Sequence, residues 1–267
     1  MSTTDPRAHS FDPAAALYDE VRPGYPDSIF KFLVAHVPAP AQVLEVGAGT
    51  GQATLPLVRR GYAVTAVEPG PAMAAVLRDK LTGTSARVVN ATFETAQLHR
   101  DRFALAVAAM SFHWLDHPVA LPKLHRLLQP NGHLAILGNG GVWHPAGADF
   151  HEAVQPIYQA HTQHLAGRAP TIDDLPDEEP ALTDSDLFVH VATRRVLQLT
   201  RYTTERYLKL LETFSDHRAL PPERQAAVRA GVAAVIESLG GEMVRPIGSI
   251  ARLYRIRLKS IPAYQLA

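Results

Sequence analysis

Gln42-Val43-Leu44-Glu45-Val46 is a short apolar run that ends on Gly47-Ala48-Gly49-Thr50-Gly51, a segment with glycine at every second position. An apolar run of this length, stopped by glycine, predicts a buried strand entering a tight turn. Glycine lets the backbone take positive φ and lets a ligand approach the main chain closely. Residues 52–60 then read as a helix ended by Gly61, a natural residue for a left-handed C-terminal turn. Strand, glycine turn and helix make a βα unit, which commits the chain to an α/β architecture.

The alternation continues. Residues 63–67, 86–90, 103–110 and 133–137 read as further strands, with 103–110 apolar almost throughout, as a central parallel strand requires. Helices are predicted at 14–20, 27–37, 71–81 and 119–128, with Pro71 allowed in the first turn of its helix. The expected fold is a Rossmann-like, doubly wound, mostly parallel seven-stranded sheet with an antiparallel strand near the C-terminus. Right-handed crossovers place every parallel strand's C-terminal end on one edge, and ligands sit there where the strand order reverses.

The second half reads differently. Residues 138–147 are glycine-rich and expected to be mobile, and 148–166 look helical. Residues 169–186 carry Asp173, Asp174, Asp177, Glu178 and Glu179 with several prolines, which reads as a solvated loop, with part of a substrate lid as the functional alternative. A strand is expected at 194–199, a helix at 205–214 capped by Thr203 or Thr204, and a helix from Pro222 to Leu239. Residues 250–258 alternate apolar and basic side chains, as an antiparallel strand near an edge does. One domain is expected over 1–267: an N-terminal helical cap (1–37), a cofactor-binding core (38–138), a helical lid or insertion (139–190) and a C-terminal part of the sheet (191–267).

Composition removes several classes. The chain has no cysteine, so disulfides, thiolate metal sites and cysteine nucleophiles are excluded. Its 26 basic and 26 acidic side chains balance, which lacks the basic excess of a nucleic-acid binder. Residues 1–12 show no apolar signal segment, and no apolar run approaches the roughly 18 residues of a membrane span. A cytoplasmic protein with no nucleic-acid or membrane partner is therefore expected. Oligomeric state is left open.

Two acids sharpen the glycine turn. Glu45 is a carboxylate inside an apolar strand end, where burial is costly without a partner. Glu68 closes the second strand, where an acid can accept from both hydroxyls of a ribose. A dinucleotide fingerprint would need Gly-x-Gly-x-x-Gly, and its last glycine would fall on Gln52. The spacing suits a nucleoside ligand without phosphates better than NAD, yet an NAD-linked oxidoreductase stays open.

Residues 45–51 resemble the first motif of class I S-adenosylmethionine-dependent methyltransferases, and the chain is similar to their small-molecule, trans-aconitate methyltransferase-like subgroup. Phe11-Asp12, Tyr18 and Arg22-Pro23-Gly24-Tyr25-Pro26 resemble the N-terminal segment of that family. Glu68-Pro69, Thr92-Phe93-Glu94 and residues 111–116 resemble its later motifs, and Thr213-Phe214-Ser215-Asp216-His217 resembles a segment of related bacterial sequences. The resemblance implies S-adenosyl-L-methionine as cofactor and S-adenosyl-L-homocysteine as product. Gly47, Ala48, Gly49 and Gly51 would then line the cofactor, with Glu45 beside the methionine ammonium. Glu68 and Pro69 would flank the ribose, and Thr92 and Phe93 the adenine. Met110 and Ser111 would lie near the methionine. Tyr18 and Arg22 would close over it, Arg22 toward the carboxylate.

His113 and Trp114 would sit where the methyl emerges, His113 as candidate general base and Trp114 as a wall of the acceptor pocket. The acceptor is expected to be a small molecule methylated on oxygen or nitrogen. No metal is expected: His113 and His117 are followed at once by Pro118, and His161 and His164 form an equally weak pair. A cofactor-binding partner protein without catalysis is the remaining alternative.

Overall fold

A computed structural model describes residues 12–98, 103–162 and 166–258; Phe11 and His164 lie outside them. The strands are β1 (Gln42–Val46), β2 (Ala63–Glu68), β3 (Arg87–Asn90), β4 (Phe103–Ala109), β5 (Leu128–Gly141), β6 (Phe188–Thr203) and β7 (Glu242–Ile256). They form one sheet in the order β3-β2-β1-β4-β5-β7-β6. Strands β1 to β5 pair in parallel, and β7 lies antiparallel between β5 and β6. The doubly wound sheet with an antiparallel C-terminal strand is thus present as expected. Strand order reverses between β1 and β4, which puts the crevice beside residues 47–51.

The helices are α1 (Ala15–Val21), α2 (Asp27–His36), α3 (Thr54–Val58), α4 (Pro71–Lys80), α5 (His117–Leu127), α6 (Ala148–His161), α7 (Pro180–Thr183), α8 (Thr204–Leu211), α9 (Ser215–Arg218) and α10 (Pro222–Ser238). Apolar side chains on both sheet faces explain why β1 and β4 read as continuous hydrophobic runs. Leu44 and Ala106 pack on one face, and Val43, Leu105 and Val107 on the other, all at most 1% exposed. Each such leucine contributes about 1.5–3 kcal/mol through burial. A third cluster joins α1, α6, α8 and α10 through Val21, Val154, Leu210 and Val232. It forms a helical layer beyond the sheet's C-terminal edge and encloses space above the crevice.

Three expectations change. Residues 138–141 are the end of β5, not a mobile loop, and pair with 247–250 of β7. Their glycines permit close packing: a Cβ on Gly138 would stand 2.8 Å from Ile250 Cγ2. The helix expected over 52–60 is regular only across Thr54–Val58. The acidic segment 169–186 keeps Asp173, Asp174 and Asp177 exposed, as a solvated loop does, but it does not run free of the sheet. It is a strap tied to the outer strands. Arg195 pairs with Asp177 at 2.9 Å, Arg252 Nε donates to Pro176 O at 2.8 Å, and Glu179 N donates to Tyr254 Oη at 2.6 Å. The proposed insertion 139–190 therefore begins and ends in sheet strands, and 250–258 belongs to a strand one place in from the edge.

Candidate active site

The site is built where β1 and β4 end side by side. Gly47 and Gly49 have φ of +68° and +56°. A Cβ on Gly47 would lie 2.4 Å from Ser111 Cβ, so the two strand ends meet at a distance only glycine allows. The Ser111 hydroxyl donates to Val46 O and fastens this junction. A Cβ on Gly49 would make only ordinary contacts, with Gln52 at 3.7 Å and Tyr18 at 3.9 Å, so its left-handed backbone rather than crowding calls for glycine. Gly51 points away from the crevice. A Cβ there would meet Leu77 Cδ1 at 2.7 Å, so this glycine serves packing against α4 rather than lining a ligand site as expected.

Both acids occupy the places their spacing implied. Glu68 accepts from Gly49 N at 2.7 Å through one oxygen and from Gly70 N at 2.8 Å through the other. Its second lone pairs leave it able to take further donors. Glu45 is 1% exposed beneath the loop. One of its oxygens accepts from Thr54 Oγ1 at 2.6 Å, and the other has no hydrogen-bond partner among the described residues. Burial pushes its pKa up to about 8, offset in part by the Thr54 hydroxyl and reinforced by Glu68. A buried carboxylate oxygen without a donor is the feature a bound ammonium would satisfy.

Three cavities converge on Tyr18 and Met110, which line all of them. The first runs between Glu68, Pro69, Thr92 and Phe93. The second lies over Glu45, Ala48 and Gly49 and is also lined by Arg22. The third, about 960 Å³, opens beyond Met110 beneath the helical layer and is lined by His113 and Trp114. Met110 is held at φ +54°, rare for a residue with a side chain, by donation from its N to Leu137 O at 2.9 Å. Its sulfur accepts from Asn139 N at 3.2 Å.

Residues 44–136 match the family model for a methyltransferase domain. The chain is 39% identical over 131 residues to an uncharacterized methyltransferase of Mycobacterium bovis, covering 49% of this chain and 52% of that protein. It is 34% identical over 141 residues to a malonyl-[acyl-carrier protein] O-methyltransferase of Geobacter sulfurreducens, covering 49% and 53%. The chain thus spans about half the length of these two curated relatives. Among solved structures it resembles a protein from Anaeromyxobacter dehalogenans assigned as a type II methyltransferase, with TM-score 0.67, 22% identity, and 88% and 97% of the two chains covered. That last likeness concerns the fold. The likeness to a methyltransferase domain thus lies in residues 44–136, the part of the sheet that carries the crevice.

Several side chains around the crevice do more local work than their spacing suggested. Arg22 donates through Nε to Thr213 Oγ1 at 2.9 Å and through its terminal nitrogen to Thr213 O, with its guanidinium over Tyr18 and Phe214. Phe93 is buried, and Lys123 sits over its ring. The same ammonium donates to the carbonyls of Phe93, Glu94 and Ala96, which rivets the loop after β3. His113 is exposed on the cavity wall, its ring 4.5 Å from that of Trp114. His117 turns away to Phe112 O at 3.0 Å, and no group of three or more His, Asp or Glu among the described residues could hold a metal.

Other contributors had no role assigned from sequence, although Asp12 and Glu94 stand in the resembling segments. Asp12 caps α4 by accepting from Ala72 N and Met73 N at 2.7 and 3.0 Å. Glu94 lines the first cavity and accepts from Asp116 N at 3.1 Å. Asn139 donates to Pro23 O and Gly24 O, both at 3.2 Å, and ties the N-terminal segment to β5. Asn139 lies in no motif, and the fold brings it to the N-terminal segment. No helix among the described residues is long and apolar enough to cross a membrane.

Proposed function

We propose that the protein is an S-adenosyl-L-methionine-dependent methyltransferase that transfers a methyl group to an oxygen or nitrogen of a small molecule and releases S-adenosyl-L-homocysteine. The observation that carries the proposal is the donorless buried oxygen of Glu45 beneath the glycine loop, beside a cleft that ends at Glu68. Glu45 would receive the methionine ammonium, Glu68 the ribose hydroxyls, and the 92–93 turn the adenine edge. Bound there, the cofactor supplies a sulfonium-activated methyl group.

The chain's residues then do three things. Met110 and Tyr18, shared by all three cavities, bring the donor and acceptor spaces into line. Trp114 lines both the adenosyl and acceptor cavities and excludes water between them. His113, at the acceptor wall, takes the proton that the oxygen or nitrogen loses as its bond to carbon forms and the carbon–sulfur bond breaks. A thermal-denaturation series tests the cofactor: S-adenosyl-L-homocysteine raises the melting temperature and NAD does not. Stabilisation by NAD alone would identify an oxidoreductase instead.

A further inference from the structure

The acceptor cavity carries a cation with which no carboxylate among the described residues pairs. Arg245, on β7, is half-buried in its wall. Its guanidinium lies 5.0 Å from the Phe214 ring centroid and 5.9 Å from that of Tyr207. Among the described residues it makes no ion pair and no hydrogen bond. Arg22 also contacts Phe214, its guanidinium carbon 4.7 Å from the same centroid, so the two cations stand less than about 10 Å apart. Burial, and then the repulsion of Arg245, pull Arg22 below its ordinary pKa, while Tyr18 opposes the change. Arg168, over the Trp143 ring at 5.3 Å, adds a third cation to the lining, against one exposed carboxylate, Asp216.

Arg22 has Thr213 as its partner and faces the cofactor side. Arg245 sits farther out, beside Gly141, where an added Cβ would stand 3.4 Å from its terminal nitrogen. Gly141 is four strand residues beyond Leu137, which anchors Met110, or roughly 13 Å at strand spacing. Between them the cavity wall is aromatic: Trp143, Phe150, Tyr158, Tyr207 and Phe214. A cation at one end, a methyl-transfer point at the other and flat apolar walls between them select a particular shape of molecule.

We propose that the methyl acceptor is an organic anion with a flat apolar body, an aromatic carboxylate in the simplest case. Its charged group pairs with Arg245 and its nucleophilic oxygen or nitrogen lies at Met110. The anion is an anchor and is not the methylated atom. The proposal rests on the methyltransferase function proposed above, because the far end of the cavity is defined by where the methyl arrives.

Calorimetry on the full chain saturated with S-adenosyl-L-homocysteine tests it, with 4-hydroxybenzoate and its neutral analogue 4-hydroxybenzamide as probes. The acid binds about tenfold or more tightly than the amide, as a charge-assisted pair demands. Arg245→Gln abolishes that preference, Arg245→Lys retains part of it, and both bind S-adenosyl-L-homocysteine within about twofold of the wild type. Equal binding of acid and amide, binding of neither, or a preference that survives Arg245→Gln overturns the anion anchor. Failure of S-adenosyl-L-homocysteine to bind the wild type is a different result and overturns the cofactor assignment.

Discussion

Under the proposed function, Glu45 makes cofactor binding a proton-coupled event. Its carboxyl is pushed up to about 8 from an ordinary 4.5, chiefly by burial. At pH 7 about nine-tenths of the ligand-free protein therefore holds that proton. An ammonium placed against the donorless oxygen favours the ionised form, so binding expels the proton. Calorimetric titration with S-adenosyl-L-homocysteine at pH 7, in phosphate and in Tris, should give enthalpies that differ by about 0.9 of the difference in buffer ionisation enthalpy. The proton count falls to about one half at pH 8 and approaches zero near pH 9. Affinity rises with pH up to about 8, by at most tenfold per unit. Glu45→Gln, which keeps an acceptor for Thr54, removes the buffer dependence. Equal enthalpies in the two buffers for the wild type would refute the idea that Glu45 is neutral before the cofactor arrives.

Ligand-free stability carries the same signature with a defined sign. Between pH 4.5 and about 8 the folded chain keeps a proton on Glu45 that the unfolded chain has lost. Stability relative to Glu45→Gln therefore falls as pH rises through this window, by about 1.4 kcal/mol per unit, and levels off above it. Urea denaturation of both proteins at pH 5.5 and 7.5 checks this, with a relative loss of about 2–3 kcal/mol expected. Gly47→Ala combines a left-handed backbone with a collision at Ser111 and should destabilise the fold by about 2–4 kcal/mol in the same assay. Glu68→Gln offers only one acceptor to Gly49 N and Gly70 N, so affinity for S-adenosyl-L-homocysteine should drop at least about tenfold. Asp12→Ala removes the α4 cap and should cost about 1 kcal/mol, read by thermal denaturation. With any acceptor that turns over, His113→Ala should lower the methylation rate about a hundredfold and leave cofactor affinity unchanged; an unchanged rate would make His113 part of the wall only.

The cofactor half of the crevice was legible in sequence because its parts are local. An apolar strand, a glycine turn and an acid at the end of the next strand lie within one βαβ unit, and periodicity places them. Glu45 was legible as a charge in the wrong company. Of the large cavity beyond Met110, only the His113–Trp114 wall was legible. Arg245 and Phe214 reach the cavity only through β7 and the segment after α8, more than a hundred residues from the glycine turn. Glycines 138 and 141 suggested mobility, since their value lies in the Ile250 and Arg245 side chains opposite them. The acidic strap suggested solvent for the same reason: its partners Arg195 and Arg252 are on strands whose pairing composition does not disclose. Gly51 misled in the other direction, as a motif glycine whose space is filled by Leu77.

A crystal structure of the protein with S-adenosyl-L-homocysteine tests the central claim most directly. The homocysteine ammonium should lie within hydrogen-bonding reach of Glu45, the ribose hydroxyls at Glu68, and the sulfur at Met110, facing the large cavity. Binding elsewhere, or a Glu45 oxygen still without a donor beneath the occupied loop, would contradict the assignment of residues 45–51 as the methyl-donor site.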